Sequence, residues 1–224
     1  MKISCLMEAL KVTNNIERRV AQAPVMRMKD DDKARRVVGY AATFNSDSEA
    51  LWGSFIEQVD ARAFDEADMS DVRALFNHDD NKILARTPGT LSLEVDEMGL
   101  RYEFDMPDTS YGNDLLISME RGDISQSSFG FTVTDEEWID RSADKLLPLR
   151  RILKVGRLFD VSPVTYPAYP ETTSEVRSRF GGEIPEIPEN LNNENQVDLI
   201  ERQIDAYSEI LLTYKGLALD VKRG

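Results

Sequence analysis

One side chain in this sequence can accept and release protons near neutral pH, and it is His78. Histidine occurs once in the 224 residues, within the stretch ALFNHDD at 74–80. The imidazole pKa makes histidine the usual general base of hydrolases. A hydrolase with a histidine base must therefore use His78, although a single histidine without partners is more typical of a structural or surface residue.

Nucleophilic catalysis also needs a hydroxyl or thiol within reach of the base, and a group that orients the base. The only cysteine, Cys5, lies in a polar N-terminal stretch that is a poor place for fixed geometry. The serines at 125, 127 and 128 are better candidates, and periodicity alone does not choose among them. They lack the Gly-x-Ser-x-Gly pattern, which disfavours an α/β-hydrolase.

The pattern at 127–134 predicts a β-strand, because apolar and small or polar residues alternate there. The apolar side chains, with Ser127 in phase, would face the core. Ser128 and Gly130 would lie on the opposite face, where the glycine leaves room for another backbone to approach.

The spacing of apolar residues predicts further strands and a helix in other segments. Alternating apolar residues at 91–95 and 100–106, around a turn at 96–99, predict a β-hairpin. The apolar spacing within 114–121, followed by Gly122, predicts a short helix that ends at a left-handed glycine. Further strands are predicted at 37–44, 72–76, 152–155 and 158–164.

The two ends of the chain differ in composition from its middle. Residues 1–35 are polar and mixed in charge and predict a flexible leader, with regular structure beginning near Val37. Prolines and asparagines predict a linker at 177–196. Apolar residues three and four apart then predict a helical tail at 197–224, whose apolar side packs on its own domain or forms an oligomer or partner contact.

Composition disfavours several classes of protein. There are 41 acidic and 27 basic residues, a formal charge of −14, and such a surface repels nucleic acid. One cysteine excludes an intrachain disulfide, and one histidine and one cysteine exclude the common zinc sites. There is no calcium-loop motif, no apolar run long enough to span a membrane and no signal-peptide pattern. We therefore expect no metal, no cofactor, no nucleic acid and no membrane.

Several blocks of the chain resemble the tailed-phage prohead proteases, the capsid-maturation serine proteases related to the herpesvirus assemblins. They are NHD at 77–79, RGDISQSSFGF at 121–131 and DVSPVTYPAYP at 160–170, supported by GYAATFN at 39–45 and the hairpin at 90–107. Each block is short, but together they occur in the family's order. The resemblance covers residues 36–176, which we take as the protease domain.

The resemblance implies a role for three residues. Ser128, directly before Phe-Gly-Phe, would be the nucleophile, His78 the general base and Asp160 the acid that orients the base. Assemblins use a second histidine in this third role, and this chain has none, so the third member must be an acid here. Asp79 and Asp123 remain alternatives for that role, although Asp79 adjoins His78 and successive strand side chains diverge.

The resemblance also implies a fold and a function. The fold would be α+β, mainly an antiparallel β-barrel-like core flanked by short helices, with a separate C-terminal helix. The protein would be a serine endopeptidase that cleaves the scaffolding segment of the major capsid protein, or a scaffold protein, and itself. It would act inside the procapsid, in the host cytoplasm, as a homodimer or higher oligomer.

Two other functions remain open from the sequence. The chain could be a non-enzymatic scaffolding or capsid-assembly protein with a protease-like core, which its acidic surface and helical tail would suit equally. It could also be a metal-independent hydrolase that acts on a non-peptide ester.

Overall fold

The structure is a computed structural model that describes residues 16–20, 25–27, 35–142, 146–165, 185–188 and 191. The predicted helical tail at 197–224 and most of the predicted linker at 177–196 lie outside the described residues. Both therefore remain predictions.

The described regular structure consists of strands and one helix. The strands are β1 (Glu17–Val20), β2 (Met26–Arg27), β3 (Arg36–Thr43), β4 (Ile56–Val59), β5 (Arg73–Phe76), β6 (Asp79–Arg86), β7 (Leu91–Val95), β8 (Gly99–Asp105), β9 (Gln126–Ile139) and β10 (Leu149–Val164), and the helix is α1 (Ser110–Arg121). One sheet has the order β1-β9-β10-β5-β6, with β4 also paired to β10. The second sheet has the order β2-β3-β8-β7.

The hydrophobic core joins the two sheets. Phe129 and Phe131 of β9 and Leu158 of β10 belong to the same buried cluster as Leu100 and Tyr102 of β8. The leucines and phenylalanines among them each stabilise the fold by ~1.5–3 kcal/mol relative to an exposed position. This core fixes β9 and β10 side by side, and both strands carry predicted site residues.

Two local predictions are confirmed. The hairpin at 91–106 forms as β7 paired with β8, with Leu91 opposite Phe104 and Val95 opposite Leu100. The predicted helix forms as α1 but begins earlier, because the Thr109 side chain accepts a hydrogen bond from the Gly112 backbone N–H as an N-cap. It ends at Gly122, whose φ of 82° is left-handed.

The predicted α+β class holds, but the described residues form no closed barrel. Strand β10 pairs with β9 along most of its length, and on its other side it pairs in parallel with β4 and then with β5. It is therefore a central strand of an open sheet that ends at β1 and β6. The described residues also contain one helix, where the prediction placed several short ones.

The expectation that regular structure begins near Val37 is wrong. Strands β1 and β2 lie within the predicted leader, and β1 pairs with β9 so that Val20 is opposite Ser128. The charged residues Glu17 and Arg19 are buried in β1. The sequence did not indicate this, because their charged partners lie far along the chain.

With those partners, Glu57, Glu136 and Arg150, Glu17 and Arg19 form an ion cluster that is buried except for the half-buried Glu136. Arg150 Nη1 lies 2.6 Å from Glu17 Oε2 and 2.7 Å from Glu57 Oε2, and the same side chain donates to Glu136. Arg19 Nε lies 2.7 Å from Glu57 Oε1. The cluster thus ties β1 to β4, β9 and β10 through three carboxylates and two guanidinium groups.

We expect Arg150→Ala to lower the free energy of unfolding at pH 7 by about 3–5 kcal/mol, because it leaves buried carboxylates without their main counter-charge. The matched control is Arg157→Ala, also on β10. Its guanidinium and the carboxylate of Asp68, 3.7 Å away, are both exposed, so its loss should cost only ~0.2–1 kcal/mol. Urea unfolding measures both changes, and equal losses would contradict a special contribution from the cluster.

The stability difference between wild type and Arg150→Ala should also depend on pH. Burial alone would raise the pKa of Glu17, but the hydrogen bond from Arg150 and the charges of Arg19 and Arg150 outweigh burial and lower it. A lowered folded-state pKa gives stability that is present at neutral pH and lost as the pH falls below about 4. The difference should therefore shrink when unfolding is measured at acidic pH.

Candidate active site

His78 lies in a two-residue turn between β5 and β6, where Phe76 pairs with Asp79. Asn77 and His78 both have a φ of 55°. Positive φ at both central residues is the hairpin turn geometry that matches the right-handed twist of the flanking strands. The left-handed conformation costs a non-glycine residue roughly 1–2 kcal/mol, so neighbouring contacts must hold the turn in place.

Asn77 provides those contacts. Its backbone N–H donates to Pro163 O at 3.1 Å, and its side-chain amide donates to Thr165 Oγ1 at 3.1 Å. Its side-chain oxygen accepts from the Thr165 backbone N–H at 2.8 Å. The turn that carries His78 is therefore fastened to the C-terminal end of β10.

Ser128 and Asp160 come together because β9 and β10 are antiparallel neighbours. Ser128 is opposite Ser162, and Gly130 is opposite Asp160. Residues two apart on a strand share a face, so these four positions lie on one face of the sheet. The turn between β5 and β6 brings the imidazole of His78 to this face.

Three side chains form a hydrogen-bonded chain at this point. His78 Nε2 lies 2.7 Å from Ser128 Oγ, and His78 Nδ1 lies 2.5 Å from Asp160 Oδ1. An ionised carboxylate only accepts hydrogen bonds, so the proton on the imidazole lies on Nδ1. Nε2 is then the acceptor for the hydroxyl proton of Ser128, which is the arrangement that a histidine base needs to activate a serine.

The site is shielded from solvent. Ser128 is 2% exposed and Asp160 is 5% exposed, and the His78 side chain is also buried. Both faces of β9 are therefore covered here, because its aromatic side chains pack in the core and Ser128 lies buried on the opposite face.

Gly130 provides space for the carboxylate of Asp160. A β-carbon at position 130 would overlap Asp160 Oδ2. The predicted close approach at this glycine is made by a side chain and not by a second backbone. A larger residue at 130 would displace the carboxylate that binds His78.

The alternative serines and acids have other surroundings. Ser127 lies on the core face, as predicted, and its hydroxyl donates to Tyr102 at 3.0 Å. Ser125 is exposed. Asp79 accepts from the backbone N–H of Asn81 at 3.0 Å, and Asp123 pairs with Arg121 at 2.9 Å. None of these contacts forms a chain like that of Ser128, His78 and Asp160.

Two further residues of the site were not predicted from the sequence. Ser162 donates a hydrogen bond to Asp160 Oδ1 at 2.7 Å, and Asn77 fastens the turn. A signal for Ser162 existed, because a strand residue two positions after Asp160 must share its face. The signal for Asn77 was weaker, since asparagine is enriched at positive φ but also occurs widely in loops.

The described residues contain no group of three or more histidine, cysteine, aspartate or glutamate side chains that could hold a metal ion. The helix in this part of the chain lacks the length and apolar character needed to cross a membrane.

Comparison with known protein families gives a match over the domain that carries the site. A family model described as caudovirus prohead serine protease covers residues 23–185, which is more than half of the chain. The match includes the turn with His78 and the strands with Ser128 and Asp160. Comparisons with curated proteins and with solved structures find no match.

Proposed function

The chain belongs to the caudovirus prohead serine protease family, and we propose that it cleaves peptide bonds with a Ser128–His78–Asp160 triad. The observation that carries the proposal is the hydrogen-bonded chain from Ser128 Oγ through the imidazole to Asp160 Oδ1, with distances of 2.7 and 2.5 Å. The hydroxyl of Ser128 therefore has a base beside it, and the imidazole of His78 has a carboxylate that orients it.

In the proposed mechanism, Ser128 Oγ attacks the carbonyl carbon of the peptide bond while His78 Nε2 accepts the hydroxyl proton. The imidazolium then donates this proton to the leaving amine, and an acyl-enzyme remains. Water that is deprotonated by the same imidazole hydrolyses the acyl-enzyme. Asp160 keeps the proton of the resting imidazole on Nδ1 and stabilises the imidazolium that forms.

The burial of the site favours this role of Asp160. Two opposite charges attract more strongly where water is excluded, because the effective dielectric constant is lower there than in bulk solvent. Asp160 is 5% exposed, so its charge acts on the imidazolium with little screening.

The proposed substrates are procapsid proteins: the major capsid protein through its scaffolding segment, a separate scaffold protein, and the chain itself. We place this reaction inside the procapsid, in the host cytoplasm, and propose that the protein acts as a homodimer or higher oligomer. The family membership supports a role in capsid maturation.

Co-expression with the capsid and scaffold proteins of the same phage tests the substrate. We expect intact-mass measurement to show a shortened capsid or scaffold protein only when the chain is present, because the fragment must arise from peptide-bond hydrolysis. Identical masses with and without the chain would contradict the proposal. They would favour instead a non-enzymatic scaffolding protein with a protease-like core.

A further inference from the structure

Ser162 has no role in the triad, although it lies within its hydrogen-bond network. It is fully buried, and its register partner on β9 is Ser128. Its hydroxyl lies 2.7 Å from Asp160 Oδ1. That carboxylate oxygen is also the one that lies 2.5 Å from His78 Nδ1.

The direction of this hydrogen bond follows from the acceptor. An ionised carboxylate has no proton to give, so Ser162 must donate its hydroxyl proton to Oδ1. Oδ1 therefore accepts two hydrogen bonds, one from Ser162 and one from His78. A hydroxyl at a fully buried position is costly unless it has a partner, so Ser162 and Asp160 each favour the observed orientation of the other.

The carboxylate of Asp160 is thus restrained at Oδ1, by hydrogen bonds from Ser162 and His78. Ser162 holds Oδ1, while the absence of a side chain at Gly130 makes space for Oδ2. Rotation of the carboxylate about its Cβ–Cγ bond would break the contact with Ser162 and would move Oδ1 away from His78. The orientation of the imidazole therefore depends on Ser162, through the carboxylate of Asp160.

We propose that Ser162 is a positioning residue that fixes the carboxylate of Asp160, and through it the Nδ1–H form and ring orientation of His78. The inference rests on the proposed triad, because it assigns Ser162 to the same reaction. In this role Ser162 acts on the imidazole through Asp160.

The matched control is Ser127→Ala. Ser127 and Ser162 are both fully buried, and each donates one side-chain hydrogen bond, Ser127 to Tyr102 and Ser162 to Asp160. Ser127 lies on the core face, so its variant reports the general cost of losing one buried hydroxyl from this sheet. Ser162→Ala loses the same group, but on the face that carries the triad.

The single histidine permits a direct measurement. In the full chain with ¹⁵N-labelled histidine, every imidazole signal comes from His78. We expect the Nδ1-bound proton of wild type to give a downfield NMR signal that exchanges slowly with water. In Ser162→Ala this signal should move upfield and exchange faster, whereas in Ser127→Ala it should remain as in wild type.

Kinetics provide the second measurement, on the procapsid protein that wild type shortens. We expect Ser162→Ala to lower kcat about tenfold, the effect of losing one hydrogen bond to a charged group, while KM stays nearly constant. Ser127→Ala should retain the wild-type kcat. Ser162→Thr, which keeps the hydroxyl, should restore most of the loss.

Two outcomes would overturn the proposal: a wild-type imidazole signal in Ser162→Ala, or equal changes in Ser162→Ala and Ser127→Ala. If Ser162→Ala fails to fold, Ser162→Cys replaces it. The thiol is a weaker donor, so a wild-type imidazole signal in this variant would also overturn the proposal. The NMR measurement needs no turnover. It therefore decides whether Ser162 orients the His78–Asp160 pair even if the proposed protease function fails.

Discussion

Ser128→Ala should reduce peptide-bond cleavage by about 10⁶-fold, because removal of the nucleophile of a serine protease costs about as much as removal of its whole triad. The change deletes one oxygen from a side chain that is 2% exposed, and it introduces no new atoms. The fold should therefore persist. Co-expressed capsid and scaffold proteins should keep their full length, as measured by intact mass, and the purified variant should show no measurable turnover.

The control for Ser128→Ala is again Ser127→Ala, which lies one position away on the opposite face of β9. It removes a hydroxyl that is bonded to Tyr102, so it should cost about 1 kcal/mol of stability and leave cleavage intact. If capsid or scaffold proteins are shortened by Ser128→Ala but not by Ser127→Ala, Ser127 is the nucleophile. Full cleavage by both variants would show that neither Ser127 nor Ser128 is the nucleophile.

The elements that follow from local patterns were predictable from the sequence. The β7–β8 hairpin has clear period-two alternation around its turn, and α1 ends at the predicted glycine. Strand β9 was predicted for the same reason, and Ser127 and Ser128 face opposite sides of it, as expected. In these segments, local preference and tertiary packing favour the same structure.

The position of Asp160 depends on an irregularity that alternation does not reveal. Leu158 is opposite Phe131 and Asp160 is opposite Gly130, so β10 has one extra residue, Phe159, at this point. In a regular strand, Leu158 and Asp160 would share a face. The bulge instead leaves Leu158 in the core and directs Asp160 to the opposite face, toward His78. The family resemblance selected Asp160, whereas periodicity from Leu158 would have assigned it to the core.

Long-range contacts explain the other differences from prediction. The strand before His78 was predicted, but the tight turn after it was not, because Asn77 fastens that turn to Thr165, 88 positions away in the sequence. Strand β1 was missed because Arg150 neutralises Glu17 across 133 positions. Charged residues of this kind resemble a solvated leader until their partners are known.

Asp160→Asn should lower kcat by about 10⁴-fold while the protein remains folded, because the amide has the shape of the carboxylate but lacks its charge. With the amide oxygen at the Oδ1 position, His78 keeps its Nδ1–H form, but the imidazolium loses its counter-charge. With the amide nitrogen there, the imidazole proton is forced onto Nε2, which can then no longer accept the proton of Ser128. Both orientations therefore impair the base.

The ¹⁵N imidazole spectrum of His78 and the rate of capsid-protein cleavage measure this effect together. The matched controls are Asp79→Asn and Asp123→Asn, the other acids that the sequence left open. Asp79 is bonded to Asn81 and Asp123 is paired with Arg121, so both variants should cleave at nearly the wild-type rate. A folded Asp160→Asn variant with near-normal cleavage would move the orienting role elsewhere, and loss of cleavage in one control alone would identify the acid that carries it.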